Sequence, residues 1–337
     1  MDYLAPRWLP GGNLQTIWPA LWARRHAGTL PTYRRERWTT PDGDFIDVDF
    51  ADAVAAGPRP LLVLFHGLEG SSRSHYAEAF ATFAAARGWA FAVPHFRGCS
   101  GEINLAPRAY HSGDFEEIGW ILRRLRARQD ALVQEGAAGG PGVEAPLLAA
   151  GVSLGGNALL RWAEEAGSTA SRTASAVAAI SAPLDLAAGG EAIGRGFNRL
   201  VYTRMFLSTM KPKALAKLEQ HPGLFDRDRL IAASDLYAFD DVFTAPLHGF
   251  RDTQDYWKRG SAKPHLPAIR IPALVVNARN DPFVPAASLP MQTEVGDHVT
   301  LWQPAHGGHV GFALGAPPGH VLGMPERVGG WLLQQLA

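Results

Sequence analysis

The sequence predicts an α/β protein with a mostly parallel central sheet flanked by helices. Short apolar runs alternate with helix-like segments along much of the chain, which is the pattern of a parallel sheet with right-handed crossovers. The run Leu61–Phe65 is apolar without alternation, as expected for a strand that is covered on both faces. A length of 337 residues allows a large core and an inserted segment.

Strand-like segments follow one another at 33–39, 45–50, 61–65, 90–93, 147–152, 176–180, 273–277 and 299–302. Helix-like segments lie between or after them, at 75–87, 114–128, 158–165 and 325–336. Pro41-Asp42-Gly43 joins the first two strands and is a hairpin turn signal. We interpret 51–60 as a loop of small residues and 134–146 as a flexible surface connector.

The first 30 residues are predicted to form a separate arm. Apolar side chains recur at helical spacing before Arg24 and Arg25. They are Leu14, Ile17, Trp18, Leu21 and Trp22. One interpretation is an amphipathic helix with weak peripheral membrane contact. We favour a helix or arm, residues 1–30, that folds onto the body, because a single short helix binds a membrane weakly.

The composition excludes several classes of function. Lys+Arg and Asp+Glu each total 32, so the net charge is near zero, which argues against a nucleic-acid partner. The single cysteine, Cys99, cannot form an internal disulfide, which fits a reducing compartment. The chain shows neither the pattern of a signal peptide nor an apolar run as long as a membrane span. We therefore expect a cytoplasmic protein without an integral membrane segment.

The segment Gly151-Val152-Ser153-Leu154-Gly155 separates an apolar strand from a helix. In that context G-x-S-x-G predicts a nucleophile elbow, with Ser153 on a strained turn. Glycines are needed on both sides because side chains there would collide with the strand or the helix. The following helix directs its N-terminal N–H groups toward the charge that forms on a substrate oxygen.

A serine hydroxyl needs a base that takes its proton, and the base needs a partner that fixes its tautomer. After an elbow of this kind the chain order is serine, Asp/Glu, histidine. Asp281 follows the strand 273–277, at the edge where such sheets bind ligands. His306 and His309 are both candidates for the base. We favour His309, because the glycine pair before it would let the loop approach Ser153.

Two backbone N–H groups should form an oxyanion hole, one from Leu154 and one from Leu68 in the loop after strand 61–65. Cys99 is a rival nucleophile, but no histidine-bearing loop is indicated beside it, and we interpret it as a small buried residue. The spacing of His95, His111 and His248 is not that of metal ligands. No metal and no cofactor are expected.

The alternation of strands and helices stops after Pro183. Helix-like segments follow at 199–209, 212–220 and 226–233. We predict a core formed by 31–182 and 268–337, with 183–267 as a helical lid insertion. Because the insertion lies between the strands that precede Ser153 and Asp281, its apolar residues Met205 and Phe206 are expected to bind substrate.

Several motifs together resemble one family. They are Asn13-Leu14-Gln15-Thr16, Phe65–Ser71, His95–Glu102, Tyr110-His111-Ser112-Gly113, Gly151–Asn157, Phe239-Asp240-Asp241, Asp281-Pro282-Phe283 and His306–Phe312. With these the chain resembles the YheT-like α/β-hydrolases, relatives of animal lipid-handling hydrolases. The resemblance covers most of the chain and implies an α/β-hydrolase fold. It also implies Ser153, Asp281 and His309 as the catalytic triad. The long, Gly-rich connector 134–146 is a departure outside these motifs.

The resemblance implies a carboxylic-ester hydrolase that forms an acyl-enzyme. The expected substrate is a small-molecule or lipid-like ester with a small-to-medium apolar acyl group. One alternative is an acyltransferase of the homoserine acetyltransferase type, which shares Gly-x-Ser-x-Gly-Gly. Another is a non-catalytic ligand-binding protein of the same fold, although such proteins usually lack a triad residue.

Overall fold

The computed structural model describes residues 3–51, 57–136 and 145–336. Its strands are β1 (Arg34–Thr39), β2 (Phe45–Ala51), β3 (Leu61–Phe65), β4 (Ala90–Pro94), β5 (Leu147–Val152), β6 (Ala176–Ile180), β7 (Ala273–Val276) and β8 (Val299–Trp302). Within the described ranges they form an eight-stranded sheet in the order β1-β2-β4-β3-β5-β6-β7-β8. The β1–β2 and β2–β4 pairs are antiparallel, and the other pairs are parallel. The predicted α/β fold with a mostly parallel sheet is confirmed.

Helices cover both faces of this sheet. They are α1 (Gly12–Leu21), α2 (His75–Ala86), α3 (Phe115–Gly136), α4 (Leu154–Ala166), α5 (Leu186–Ile193), α6 (Gly196–Asn198), α7 (Arg204–Gln220), α8 (Arg227–Ala232), α9 (Leu236–Phe239), α10 (Ala245–Leu247), α11 (Thr253–Gly260) and α12 (Gly323–Gln334). Val63 of β3 points to the core shared with α3 and α4. Its neighbour Leu62 points to the core shared with α2 and α12. This alternation explains why β3 had to be apolar throughout.

Two predicted segments differ from the structure. The helix expected at 114–128 continues to Gly136, because the burial of its packing face extends past the predicted end: Gln129 is buried and Leu132 and Val133 are partly buried. The first part of the predicted connector 134–146 is therefore helical. Residues 137–144 of that connector, and 52–56 of the predicted loop 51–60, lie outside the described residues.

The chain between β6 and β7 contains α5 to α11. Helices were predicted separately at 199–209 and 212–220, but the structure has one continuous helical run there. A π-helical segment, Arg199–Thr203, leads directly into α7, which passes through Pro212. A proline inside a helix removes one hydrogen bond and need not end the helix when its other contacts hold. This run buries Tyr202, Thr203 and Leu207.

Helix α1 packs on the body through an unexpected face. Its buried residues are Gln15, Thr16 and Pro19. Leu14, Leu21 and Trp22 of the predicted apolar stripe are instead exposed. The stripe therefore did not identify the packing face, and weak peripheral membrane contact stays a prediction. Across the residues that the structure describes, no helix combines the length and apolar character needed to span a bilayer.

Candidate functional site

Ser153 lies in a tight turn at the carboxyl end of β5, in the middle of the sheet. Its backbone has φ 52° and ψ −119°, a region that side-chain-bearing residues rarely adopt. A Cβ on Gly151 would collide with the carbonyl oxygen of Gly155. A Cβ on Gly155 would lie 2.6 Å from the Phe65 carbonyl oxygen of β3. The two glycines thus allow the strained turn to fit between β3, β5 and α4.

The structure brings three predicted side chains into one hydrogen-bonded row. Ser153 Oγ is 3.0 Å from His309 Nε2, and His309 Nδ1 is 2.9 Å from Asp281 Oδ2. The other Asp281 oxygen accepts the Phe283 backbone N–H at 2.8 Å. The Phe283 ring packs on the imidazole with centroids 4.2 Å apart. Asp281 is buried and the His309 side chain is 10% exposed, so water has limited access to the ion pair that would form on proton transfer.

The N-terminal helix holds the loop that carries His309. Thr16 Oγ1 accepts the His309 backbone N–H at 2.8 Å. Gln15 Oε1 accepts the Gly307 N–H and the Asn280 side-chain amide, both at 2.9 Å. Asn280 in turn accepts the Gly308 N–H at 3.0 Å. Polar groups of α1 therefore fix the positions of the histidine loop and of the loop that carries Asp281.

Gln15 provides a direct test of this support. Gln15→Ala removes these bonds and a third, from Gln15 Nε2 to the Leu9 carbonyl at 2.8 Å. We expect the free energy of unfolding to fall by about 2–4 kcal/mol, since each buried group left unpaired costs roughly 1–3 kcal/mol. We also expect kcat to fall about tenfold, because a histidine shifted by a fraction of an ångström transfers protons poorly.

Thermal melting and initial rates with an ester substrate measure the two effects. Gln129→Ala is the matched control, because Gln129 is equally buried, lies in α3 and donates to the Arg59 carbonyl at 2.8 Å, away from the site. The control should lose stability but keep kcat per folded molecule. A Gln15→Ala variant with unchanged kcat would contradict a role for α1 in positioning the histidine loop.

The backbone N–H groups of Leu68 and Leu154 have no hydrogen-bond partner among the described residues. The loop that carries Leu68 passes close to Ser153 at Gly67, because a Cβ on Gly67 would lie 3.2 Å from Ser153 Cβ. The carbonyl of the same peptide unit, Gly67 O, accepts from Gly70 N–H at 2.9 Å and from His66 Nδ1 at 2.8 Å. Because a trans peptide points its C=O and N–H in opposite directions, these bonds fix the orientation of the Leu68 N–H and turn it away from Gly70 and His66.

His66 is suited to this fixed role. It is fully buried, and its Nε2 accepts the Phe96 N–H at 3.1 Å, which leaves the proton on Nδ1. Burial lowers the pKa of His66 to about 3, so the ring stays neutral at physiological pH. Tyr76 Oη accepts the Gly67 N–H at 2.9 Å and holds the other side of the loop.

A cavity of about 1280 Å³, the part open to solvent included, adjoins Ser153 and His309. Met205 and Phe206 of α7 both line it. Phe206 is half-buried and its ring lies 6.2 Å from that of Phe283, whereas Met205 is 52% exposed. The structure therefore brings both predicted substrate-contacting residues to the cavity, Phe206 as part of its wall and Met205 near its mouth.

Other candidates lie away from this chemistry. His306 is exposed, and its contact is a 3.4 Å approach of Nδ1 to the Asn280 amide. Burial raises the pKa of the Cys99 thiol to about 12, so it stays protonated and is a poor nucleophile. The described ranges contain no group of three or more His, Cys, Asp or Glu side chains that could hold a metal ion.

Sequence reasoning assigned no role to Gln15, Thr16, His66 or Tyr76 in supporting the site. Gln15 and His309 are separated by most of the chain, and no local pattern connects them. The available signal was the Asn13-Leu14-Gln15-Thr16 motif, which marks a polar stretch inside an otherwise apolar helix.

Comparison with known proteins identifies the family and the fold. No protein-family model matches the chain. The chain is 36% identical over 99% of its length to the protein named "Putative esterase YheT" of Escherichia coli (strain K12), covering 94% of that protein. It is 31% identical to the mouse (Mus musculus) protein named phospholipase ABHD3, over 90% of this chain and 75% of that one. The solved Pyrococcus furiosus esterase Pf2001 has the same fold, with TM-score 0.53 and 17% identity over 93% of this chain and 96% of that one.

Proposed function

Because the chain belongs to the YheT-like α/β-hydrolases and is an ester hydrolase of the esterase/lipase type, we propose that it cleaves carboxylic esters through Ser153, His309 and Asp281. The observation that carries this proposal is the row of contacts from Ser153 Oγ to His309 at 3.0 Å and from His309 to Asp281 at 2.9 Å. These are the distances at which a nucleophile, its base and an orienting acid cooperate.

The proposed reaction has two halves. Ser153 Oγ attacks the ester carbonyl while His309 Nε2 takes its proton, and Asp281 stabilises the imidazolium that results. The C–O bond to the alcohol then breaks, His309 gives its proton to the departing alcohol oxygen, and the acyl group stays on Ser153. Water, deprotonated by His309, attacks this acyl-enzyme and releases the acid, and the proton returns to Ser153.

In both halves negative charge develops on the former carbonyl oxygen. We propose that the Leu68 and Leu154 N–H groups donate to it. Their lack of partners in the described chain supports this role, as does the position of Leu154 at the first turn of α4, where the helix dipole favours negative charge. Loss of one such donor usually lowers kcat about a hundredfold or more.

We further propose that segment 183–267 acts as a lid over the core formed by 31–182 and 268–337. Its residues Val201, Tyr202, Met205 and Phe206 line the cavity beside Ser153, so an acyl or alcohol group bound there would contact them. This supports a preference for small-to-medium apolar acyl esters over charged ones. The names of the relatives, esterase and phospholipase, favour hydrolysis over acyl transfer and suggest lipid-like esters as substrates.

Phe206 offers a test of the substrate preference. We expect kcat/KM for p-nitrophenyl esters to rise with acyl length in the wild type, because each buried methylene adds about 0.8 kcal/mol until the cavity is filled. Phe206→Ala should flatten that dependence. The matched control is Phe225→Ala, a half-buried ring of the same segment that packs on Phe243. A dependence that Phe206→Ala leaves unchanged would remove this segment from the acyl site.

The function itself is tested by covalent labelling. A fluorophosphonate probe reacts with a serine only when a base activates it. We expect the purified protein to be labelled on the peptide that contains Ser153, and p-nitrophenyl butyrate to protect it in competition. Labelling of any other serine, or of none, would overturn the proposed mechanism.

A further inference from the structure

A second cavity adjoins Ser153 on the side of α5 and α11. It has a volume of about 660 Å³ and is lined by Ser153 and Leu154 together with apolar residues of the segment 183–267. Three polar side chains also line it: Ser112, Asp240 and Tyr256. Asp240 and Tyr256 also line a third cavity of about 600 Å³, so they lie where the two spaces meet. None of these three residues is used in the mechanism above.

The Ser112 hydroxyl serves no structural purpose that the described residues reveal. It is buried, with 3% of the residue exposed, and its Oγ has no hydrogen-bond partner. The backbone of Ser112 is nevertheless firmly held. Its N–H donates to Tyr256 Oη at 2.9 Å, and its carbonyl accepts from Asn157 Nδ2 at 2.8 Å. Because buried hydroxyls are normally paired, an unpaired one on a residue that lines a cavity is a candidate for pairing with a bound ligand.

Tyr256 and Asp240 provide complementary hydrogen-bonding capacity. Tyr256 Oη accepts the Ser112 N–H, but its own hydrogen has no acceptor among the described residues. Asp240 accepts one bond at each oxygen, from Thr244 Oγ1 at 2.6 Å and from Trp257 Nε1 at 2.9 Å. Each carboxylate oxygen can accept a second bond. Burial raises the pKa of Asp240 to about 6, which indicates that the surrounding protein does not fully compensate its charge.

The local backbone conformation also supports a ligand site at Asp240. Asp240 begins a π-helical segment, Asp240–Thr244, and such segments are often found at functional sites. Asp240 keeps part of its surface accessible, and two cavities reach it.

The set of donors and acceptors selects one kind of ligand group. A hydroxyl can donate to Asp240 and, with its two lone pairs, accept from both Ser112 and Tyr256, so it matches all three side chains. An ammonium could donate to Asp240 but could not accept from either hydroxyl. A purely apolar chain would leave Ser112 unpaired. The surrounding wall is apolar, with Leu186, Ile193 and Met210, so the rest of the ligand should be a hydrocarbon.

From this arrangement we propose that Ser112, Asp240 and Tyr256 form a subsite for a hydroxyl group on the acyl chain, so that esters of hydroxy acids are the preferred substrates. The inference rests on the ester hydrolysis proposed above and adds the substrate class. It narrows the apolar acyl preference proposed above, because Phe206 lines both cavities and the hydrocarbon part of the acyl chain would still contact the apolar wall.

The test compares substrates that differ by one oxygen. Methyl hexanoate is compared with methyl hexanoates that carry a hydroxyl on the second, third or terminal carbon of the acyl chain, and acid release is titrated at constant pH. In the wild type we expect at least one hydroxy ester to exceed methyl hexanoate in kcat/KM by about tenfold or more, because a site built to bind a hydroxyl discriminates against its absence.

Ser112→Ala should lower that ratio by about tenfold, the effect of one hydrogen bond of about 1.4 kcal/mol. The substitution breaks no hydrogen bond within the described chain, and Tyr256→Phe provides a second variant that should lower the same ratio. Ser168→Ala, at an exposed serine of the turn Gly167–Arg172, is the matched control and should leave the ratio unchanged.

The outcomes separate this inference from the proposed function. Cleavage of methyl hexanoate that depends on Ser153, without preference for any hydroxy ester, would overturn the hydroxyl subsite and leave the ester hydrolase intact. A preference that neither Ser112→Ala nor Tyr256→Phe reduces would also overturn it. If no ester is cleaved in a manner that depends on Ser153, both proposals fail.

Discussion

Ser153→Ala is expected to lower kcat/KM for ester hydrolysis by about a million-fold, the loss typical of removing a triad nucleophile. The reason is geometric. Ser153 Oγ faces His309 Nε2 at 3.0 Å, and it is the oxygen that is proposed to bond to the acyl group. Without that oxygen the proposed acyl-enzyme cannot form. The residual rate would come from binding and from the two N–H donors alone.

Initial rates with p-nitrophenyl butyrate measure this effect, and thermal melting provides the control. Alanine can occupy the same strained backbone, at φ 52°, and loses one hydrogen bond, so the melting temperature should change little. Ser168→Ala, at an exposed serine away from the cavities, should keep wild-type activity. Ser153→Ala protein that is folded but retains more than a trace of turnover would assign the nucleophile elsewhere.

His309→Ala should cause a loss of similar size, since His309 is the proposed carrier of the proton in both halves of the reaction. In addition, Ser153→Ala and His309→Ala should be strongly non-additive. The double variant is expected to be no slower than either single variant, because removing the nucleophile already makes its base useless. Single-turnover rates of the three variants with the same ester measure this coupling.

The neighbouring histidine gives a matched control. His306 lies three residues earlier on the same loop but is exposed, and its ring approaches only the Asn280 amide, at 3.4 Å, among the described residues. We expect His306→Ala to cost only a small part of the activity, through loosening of the loop. If His306→Ala abolished turnover while His309→Ala retained it, the roles assigned to the two histidines would be reversed.

The fold class could be predicted from the sequence, because the signals for it are local. A buried parallel strand must be apolar on both faces, and Leu61–Phe65 has that composition. The elbow around Ser153 is also local, since the two glycines and the serine lie within five residues of one another. Asp281 could be proposed from its place just after a strand, because the carboxyl ends of parallel strands meet at one edge of the sheet.

The support of the site could not be predicted from the sequence, because the contacts involved join residues far apart in the chain. The helical spacing of apolar residues in and after α1 predicted a packing face that includes Leu14, Leu21 and Trp22, but these residues are exposed. The face that packs is polar, since Gln15 and Thr16 satisfy backbone N–H groups of the loop that ends at His309. Hydrophobic periodicity detects buried hydrocarbon, whereas a helix that is docked by hydrogen bonds leaves no such period in the sequence.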